Sequence, residues 1–265
     1  MRCGRPLVLA ALLLALAGPS PAGSPPAGVV VCAPGYPGSS AEAQPVMDRF
    51  AAALAAAAHR PAGSVTARYE PSAEGGVTAI AAPGTGLALV TLPFFLEHRV
   101  ELGLAPVAQA VPAGRPALEP WTLVAGKGTV SGPAALDGWE LRSLAGFSPR
   151  FVRRVALGGW GKLPSSVTIR FTGAVLSGLR RAAAGRHVAV LLDGEQAAAL
   201  DGLPFADRLK VLHRSRPLPV SVLCTVRGRG AGLAAAALGL AAGAAGREAL
   251  AGLRVERFEP VDSAA

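Results

Sequence analysis

The chain has 265 residues, enough for one large domain or two ordinary lobes. Hydrophobic residues make up 51% and charged residues 16%, which excludes a globally disordered chain, and 5% aromatics leave little for stacking against single-stranded nucleic acid. The net charge of +9 rests on 23 Arg against 3 Lys, scattered as pairs such as Arg153/Arg154 and Arg180/Arg181. No basic stripe or reading motif accompanies it, so nucleic acid is not an expected partner.

Arg2 and Arg5 precede an apolar run over residues 6–17, followed by a small, Pro-rich stretch over 18–28. This is the pattern of a secretory signal peptide, too short for a membrane span. Residues 1–22 are read as the signal, cleaved somewhere between Ala17 and Gly23, and 23–28 as a linker. The mature protein is expected in the periplasm with a net charge of +7.

From residue 29 strand and helix patterns alternate. Residues 29–32 form a buried strand, and a helix over 41–59 opens at Ser39-Ser40-Ala41-Glu42, a capping-box spacing, and stops before Pro61. Strands follow at 65–69 and 87–91 around a short helix at 76–82, and a third helix begins at Pro93. After residue 105 the rhythm restarts. Strands are expected at 106–111, 121–125, 139–143, 167–171, 188–192, 209–213 and 218–226. Helices are expected at 133–136, from Ser148-Pro149, at 174–184, from Asp193, and at 231–245. Repeated strand–helix units predict parallel sheets with right-handed crossovers. Two such sets joined by extended crossings predict two α/β lobes around a cleft. The first lobe takes 29–111 and 219–265, the second 112–218.

Cys32 and Cys224 lie inside apolar strand patterns and are expected as buried, unlinked thiols. The chain contains no CxxC or HExxH, and His59, His98, His187 and His213 are far apart, so neither a metal site nor a cofactor is expected. Gly228-Arg-Gly-Ala-Gly232 has the wrong spacing and too little chain after it for a dinucleotide-binding fingerprint. No Gly-x-Ser-x-Gly elbow exists, so a hydrolase is not expected.

Several short motifs in order resemble the periplasmic solute-binding proteins of the phosphate/phosphonate ABC-transporter class. They are Gly35-Tyr36-Pro37, Glu74-Gly75-Gly76, Thr91-Leu-Pro-Phe-Phe95, Leu123-Val-Ala-Gly-Lys127, Ala145-Gly-Phe-Ser-Pro149, Val190-Leu-Leu-Asp193 and Arg214-Ser-Arg-Pro-Leu-Pro219. The resemblance covers nearly all of the mature chain. It implies a two-lobe type II periplasmic-binding-protein fold, each lobe a mainly parallel sheet flanked by helices. It also implies a monomer without catalysis, holding a small, anionic solute for an ABC-transporter permease or another inner-membrane partner. A sensory or accessory protein reporting occupancy to a membrane partner is the alternative.

Five residues are candidates for the ligand site. Ser148, at an N-cap before Pro149, would hold an anion at a helix start, or only cap its helix. Tyr36 and Thr91 follow strands at their carboxyl ends, where open α/β sheets bind ligands. Phe94 either faces the cleft or packs in the core. Asp193, three residues before Gln196, has capping-box spacing, and one oxygen can cap while the other faces the cleft.

Overall fold

A computed structural model describes residues 26–261. The expected signal peptide and the first part of the linker, 23–25, lie outside the described residues. The chain runs β1 (Ala27–Cys32), α1 (Ser40–Ala57), β2 (Val65–Glu70), α2 (Ala73–Ala81), β3 (Thr85–Thr91), α3 (Leu92–Leu102) and β4 (Leu104–Pro112). It crosses through β5 (Leu118–Glu119) to β6 (Thr122–Gly126), β7 (Glu140–Ser143), α4 (Pro149–Phe151), β8 (Thr168–Phe171), α5 (Val175–Ala183), β9 (Val188–Leu192), α6 (Gly194–Ala198) and β10 (Leu209–Arg214). It returns through β11 (Leu218–Pro219) to β12 (Ser221–Val226), α7 (Ala231–Gly239), α8 (Ala244–Gly252) and β13 (Val255–Pro260).

Two sheets form the two lobes. The first has strand order β13-β4-β12-β3-β1-β2, the second β10-β6-β9-β7-β8, and the short ribbon β11-β5 lies between them. The expected parallel sets are present as triplets, β2-β1-β3 and β8-β7-β9. Antiparallel strands extend each sheet because β12 enters the first from the returning chain and β6 enters the second from the outgoing one.

Local chemistry sets the helix ends. Ser39 and Glu42 form the expected capping box at the start of α1, satisfying two otherwise orphaned N–H groups. Phe50, Leu54 and Met47 on its inner face are fully buried against β1 and β2. Each such side chain contributes about 1.5–3 kcal/mol through burial. A second apolar cluster is continuous from the first lobe (Val30, Ile80, Phe94) into the second (Trp121, Leu123, Phe151), so the lobes share a core where they meet.

Three expectations change. The single strand expected at 218–226 is divided: Leu218–Pro219 pairs with β5, and only from Ser221 does the chain join the first sheet. The helix expected at 231–245 breaks at Gly243, and 231–242 and 244–252 meet at 103°. The helix behind Ser148 has three residues before it widens into a π-turn over Val152–Ala156. Among the described residues no single helix is long and apolar enough to cross a membrane.

Cys32 and Cys224 are buried free thiols. Strand β3 lies between theirs, which sets them about 10 Å apart, beyond the ~7 Å Cα separation a disulfide spans. Burial pushes both thiols up to about 12.

Candidate functional site

The carboxyl ends of β1 and β3 in the first lobe face the carboxyl end of β9 in the second. β1 ends at Cys32 and the chain turns at once through Pro34 and Gly35, whose φ of +81° suits a residue without a side chain. A Cβ on Gly35 would lie 2.5 Å from Leu144 Cδ2 of the opposite lobe, so this turn is pressed directly onto the second lobe. The turn carries Tyr36 across the cleft, where its hydroxyl donates to Asp193 Oδ2 at 2.5 Å.

Asp193 follows β9 directly and is the N-cap of α6. Its Oδ1 accepts from the Gln196 N–H at 2.8 Å, and the Gln196 side chain accepts from the Asp193 N–H at 3.3 Å. One carboxylate oxygen therefore fixes the helix and the other meets the facing lobe. Burial raises the Asp193 carboxyl above its ordinary value, against the hydrogen bonds from Tyr36 and Gln196. Burial and the nearby Asp193 charge push the Tyr36 phenol upward in the same sense.

Beside this contact lies a cavity of about 20 Å³, room for about one water molecule. Its lining includes Tyr36, Thr91, Glu119, Trp121, Phe147 and Asp193. This cavity as it stands holds nothing larger than a water. The ionisable groups in this lining are acidic. Glu119, from β5, is raised by burial and by Asp193 and lowered by the adjacent Arg115. It fits only because Gly194 faces it; a Cβ there would overlap the Glu119 carboxylate. Thr91 is buried at the end of β3, and its Oγ1 has no hydrogen-bond partner among the described residues. Ser64 Oγ, Thr122 Oγ1 and His213 Nε2 are buried and unpartnered in the same way, and of the four only Thr91 lines this cavity.

No family model matches the chain, and no curated protein sequence does. Solved structures do. XAC2383 from Xanthomonas citri, bound to chloride ion, aligns with a TM-score of 0.68 at 16% identity, covering 89% of this chain and 92% of its own. A binding protein component of an ABC phosphonate transporter from Pseudomonas aeruginosa aligns at 0.60 and 15%, covering 91% and 83%. PhnD1 from Prochlorococcus marinus, in complex with methylphosphonate, aligns at 0.59 and 16%, covering 90% and 94%. The fold is that of the type II periplasmic binding proteins.

Within that fold the five candidates separate. Tyr36, Thr91 and Asp193 line the cavity. Phe94 does not: it is fully buried in the first lobe, its ring 4.7 Å from that of His98. Ser148 is also buried and outside the lining, and its hydroxyl is engaged twice. It donates to Glu97 Oε2 of the first lobe at 2.5 Å and accepts from the Phe151 N–H at 3.4 Å. A carboxylate of the chain itself thus sits where Ser148 was expected to hold a solute's anion.

Sequence reasoning missed Glu97, Arg115, Glu119, Trp121, Glu195 and Arg254. Arg254 of the first lobe pairs with Glu195 of α6 at 2.8 Å, and Arg115, between β4 and β5, reaches Glu119 at 3.0 Å and Glu195 at 3.4 Å. The one available signal was Arg115 within Pro112-Ala-Gly-Arg-Pro116, a charged residue in a Pro/Gly-marked crossing between lobes.

Proposed function

We propose that this chain is an exported solute-binding protein that captures a small, anionic solute between its lobes and presents it to an ABC-transporter permease. The observation that carries the reading is the buried Thr91 hydroxyl, unpartnered among the described residues, at a strand's carboxyl end in the lining of a cavity that also includes Tyr36 and Asp193, joined across the cleft. A ligand group completing that hydroxyl would gain a hydrogen bond only when both lobes surround it, and such differential contact is what shifts an open–closed equilibrium.

The lobes connect through two crossings with the β5-β11 ribbon between them, a hinge able to absorb rotation with few backbone changes. The ligands named for similar folds, methylphosphonate and chloride, support an anionic solute. Binding without turnover is supported by Ser148, whose partner is the Glu97 carboxylate rather than an imidazole.

A thermal-shift screen of phosphonates, inorganic oxyanions, sulfonates, short carboxylates and amines tests the reading. A solute bound only by the folded state raises the melting temperature, by about 2.7 kcal/mol of added stability at a hundred times its Kd. Small-angle scattering should then show the bound form at least as compact as the free one. A folded protein whose melting temperature none of these solutes raises would sink the reading.

A further inference from the structure

Behind Tyr36, on the first-lobe side of the interface, lies a second compartment of about 140 Å³, seven times the volume of the cavity at Asp193. The two share Tyr36, Thr91 and Val220 as walls. Its floor is apolar, from Val31, Leu89, Ala110 and Leu253 at the edge of the first-lobe core. Its rim is charged, from Arg115, Glu195 and Arg254. Thr91, whose hydroxyl is unpartnered among the described residues, lines both.

The three charged residues come from three parts of the molecule. Arg115 stands in the outgoing crossing, Glu195 in α6 of the second lobe, and Arg254 between α8 and β13 of the first. Glu195 bridges both guanidiniums, closely to Arg254 at 2.8 Å and loosely to Arg115 at 3.4 Å. Arg115 keeps a second carboxylate, Glu119, at 3.0 Å. If Glu195 swings out, Arg254 loses its carboxylate and Arg115 keeps only Glu119, so one monoanionic group replaces the one charge that left.

We propose that this compartment is the solute's seat and that Arg115 and Arg254 hold its anionic head. Glu195 is then a displaceable internal carboxylate occupying the head's place. The proposal rests on the solute-binding reading and narrows it to a monoanionic oxygen head on a short apolar body, as in a short-chain monocarboxylate. The apolar floor covers the body, Thr91 donates to the head, and the exchange of Glu195 for the ligand breaks a bond between the lobes as the ligand makes another. Affinity and opening are thereby coupled through one side chain.

The test is calorimetric titration of the full mature protein with butyrate, inorganic phosphate and butylamine. Butyrate should bind more tightly than the other two. Glu195→Gln removes the competing charge and should tighten butyrate about tenfold. Arg254→Gln, at an exposed position, should weaken it about three- to tenfold. Glu97→Gln, which removes a cross-lobe carboxylate that is not part of this rim, should shift butyrate affinity only as far as it loosens the lobes and so separates charge competition from loosening. If Glu195→Gln fails to tighten butyrate, or Glu97→Gln tightens it equally, the assignment is overturned. If phosphate or butylamine binds and butyrate does not, this seat is wrong while solute binding stands. If the whole solute screen leaves both the parent and Glu195→Gln unshifted, the two fall together.

Discussion

Tyr36 and Asp193 are 157 residues apart in sequence, and the hydroxyl of one is bound to the carboxylate of the other across the cleft at 2.5 Å. The same carboxylate caps α6, so the contact ties the turn after β1 to the first turn of a helix in the other lobe. Tyr36→Phe keeps the ring and removes the donor, leaving a buried Asp193 oxygen without its partner. The expected cost is about 1–3 kcal/mol. Urea unfolding measures it, and small-angle scattering should show a larger radius of gyration as the lobes part. A variant as compact and as stable as the parent would mean that the tyrosine only packs.

The acidic pair in the cleft gives a pH dependence of definite sign. Asp193 and Glu119 are both raised, chiefly by burial. An acid raised in the folded state binds its proton more tightly there than when unfolded. Stability from these groups is therefore greatest below their ordinary carboxylate range and falls as pH rises from that range through the folded values. Asp193→Asn keeps a side chain that caps α6 and removes the charge. It should flatten part of that fall and match or exceed the parent's stability at neutral pH. Unfolding curves between acidic and neutral pH check it; an unchanged slope would show that Asp193 does not titrate in the closed cleft.

Gly194→Ala should act at a distance from α6 itself. Its Cβ would overlap the Glu119 carboxylate, and Glu119 can yield only by leaving the guanidinium of Arg115. Overpacking of this kind costs about 1–3 kcal/mol. The double variant Gly194→Ala, Glu119→Ala should recover part of that loss, because the carboxylate overlap disappears while the Cβ of residue 119 still lies 2.8 Å from the added methyl. A Gly194→Ala cost undiminished in the double variant would locate the strain in the backbone instead.

Ser148→Ala removes the Glu97 contact and the cap of a three-residue helix, at an expected cost of about 1 kcal/mol. Ser148→Asp should cost more, since it buries a second carboxylate against Glu97, and acid should reduce the difference by protonating it. Neither variant should change solute affinity more than its effect on closure requires, because Ser148 does not line the cavity. A hundredfold loss in Ser148→Ala would restore it as a ligand contact.

Alkylation of the native protein should modify neither Cys32 nor Cys224. Both thiols are buried, with titration pushed up to about 12, so thiolate is scarce at neutral pH. Both should react after denaturation without a reductant. Mass spectrometry of non-reduced peptides that found the two linked would contradict the strand order.

What the sequence made legible follows from local physics. Buried strands such as Val188–Leu192 are unbroken apolar runs, and α1 announces itself through Ser39 and Glu42. Tyr36, Thr91 and Asp193 could be singled out because they lie at or just past the carboxyl ends of β1, β3 and β9. β13 was missed because Val255-Glu-Arg-Phe-Glu-Pro260 is an edge strand with mostly polar residues, and α8 because Ala and Gly blur the helical period of 231–252. Glu97, Glu195 and Arg254 could not be found locally. Each acquires its partner only when the lobes approach, and nothing in its own neighbourhood distinguishes it from a solvated surface charge. Ser148 was legible as a cap, which it is, while the Glu97 carboxylate that takes its hydroxyl comes from the facing lobe.

The strand order also dictates a sequence of events in synthesis. β4 is flanked by β12 and β13, and both come from the last part of the chain to be made. All strands of the second sheet have emerged by Arg214, before the first residue of β12 exists. A growing chain can therefore complete its second lobe while β4 still presents two bare edges, with an apolar strand open to pairing with the wrong neighbour. The interval between Arg214 and Pro260 is therefore when the growing chain is most open to mispairing.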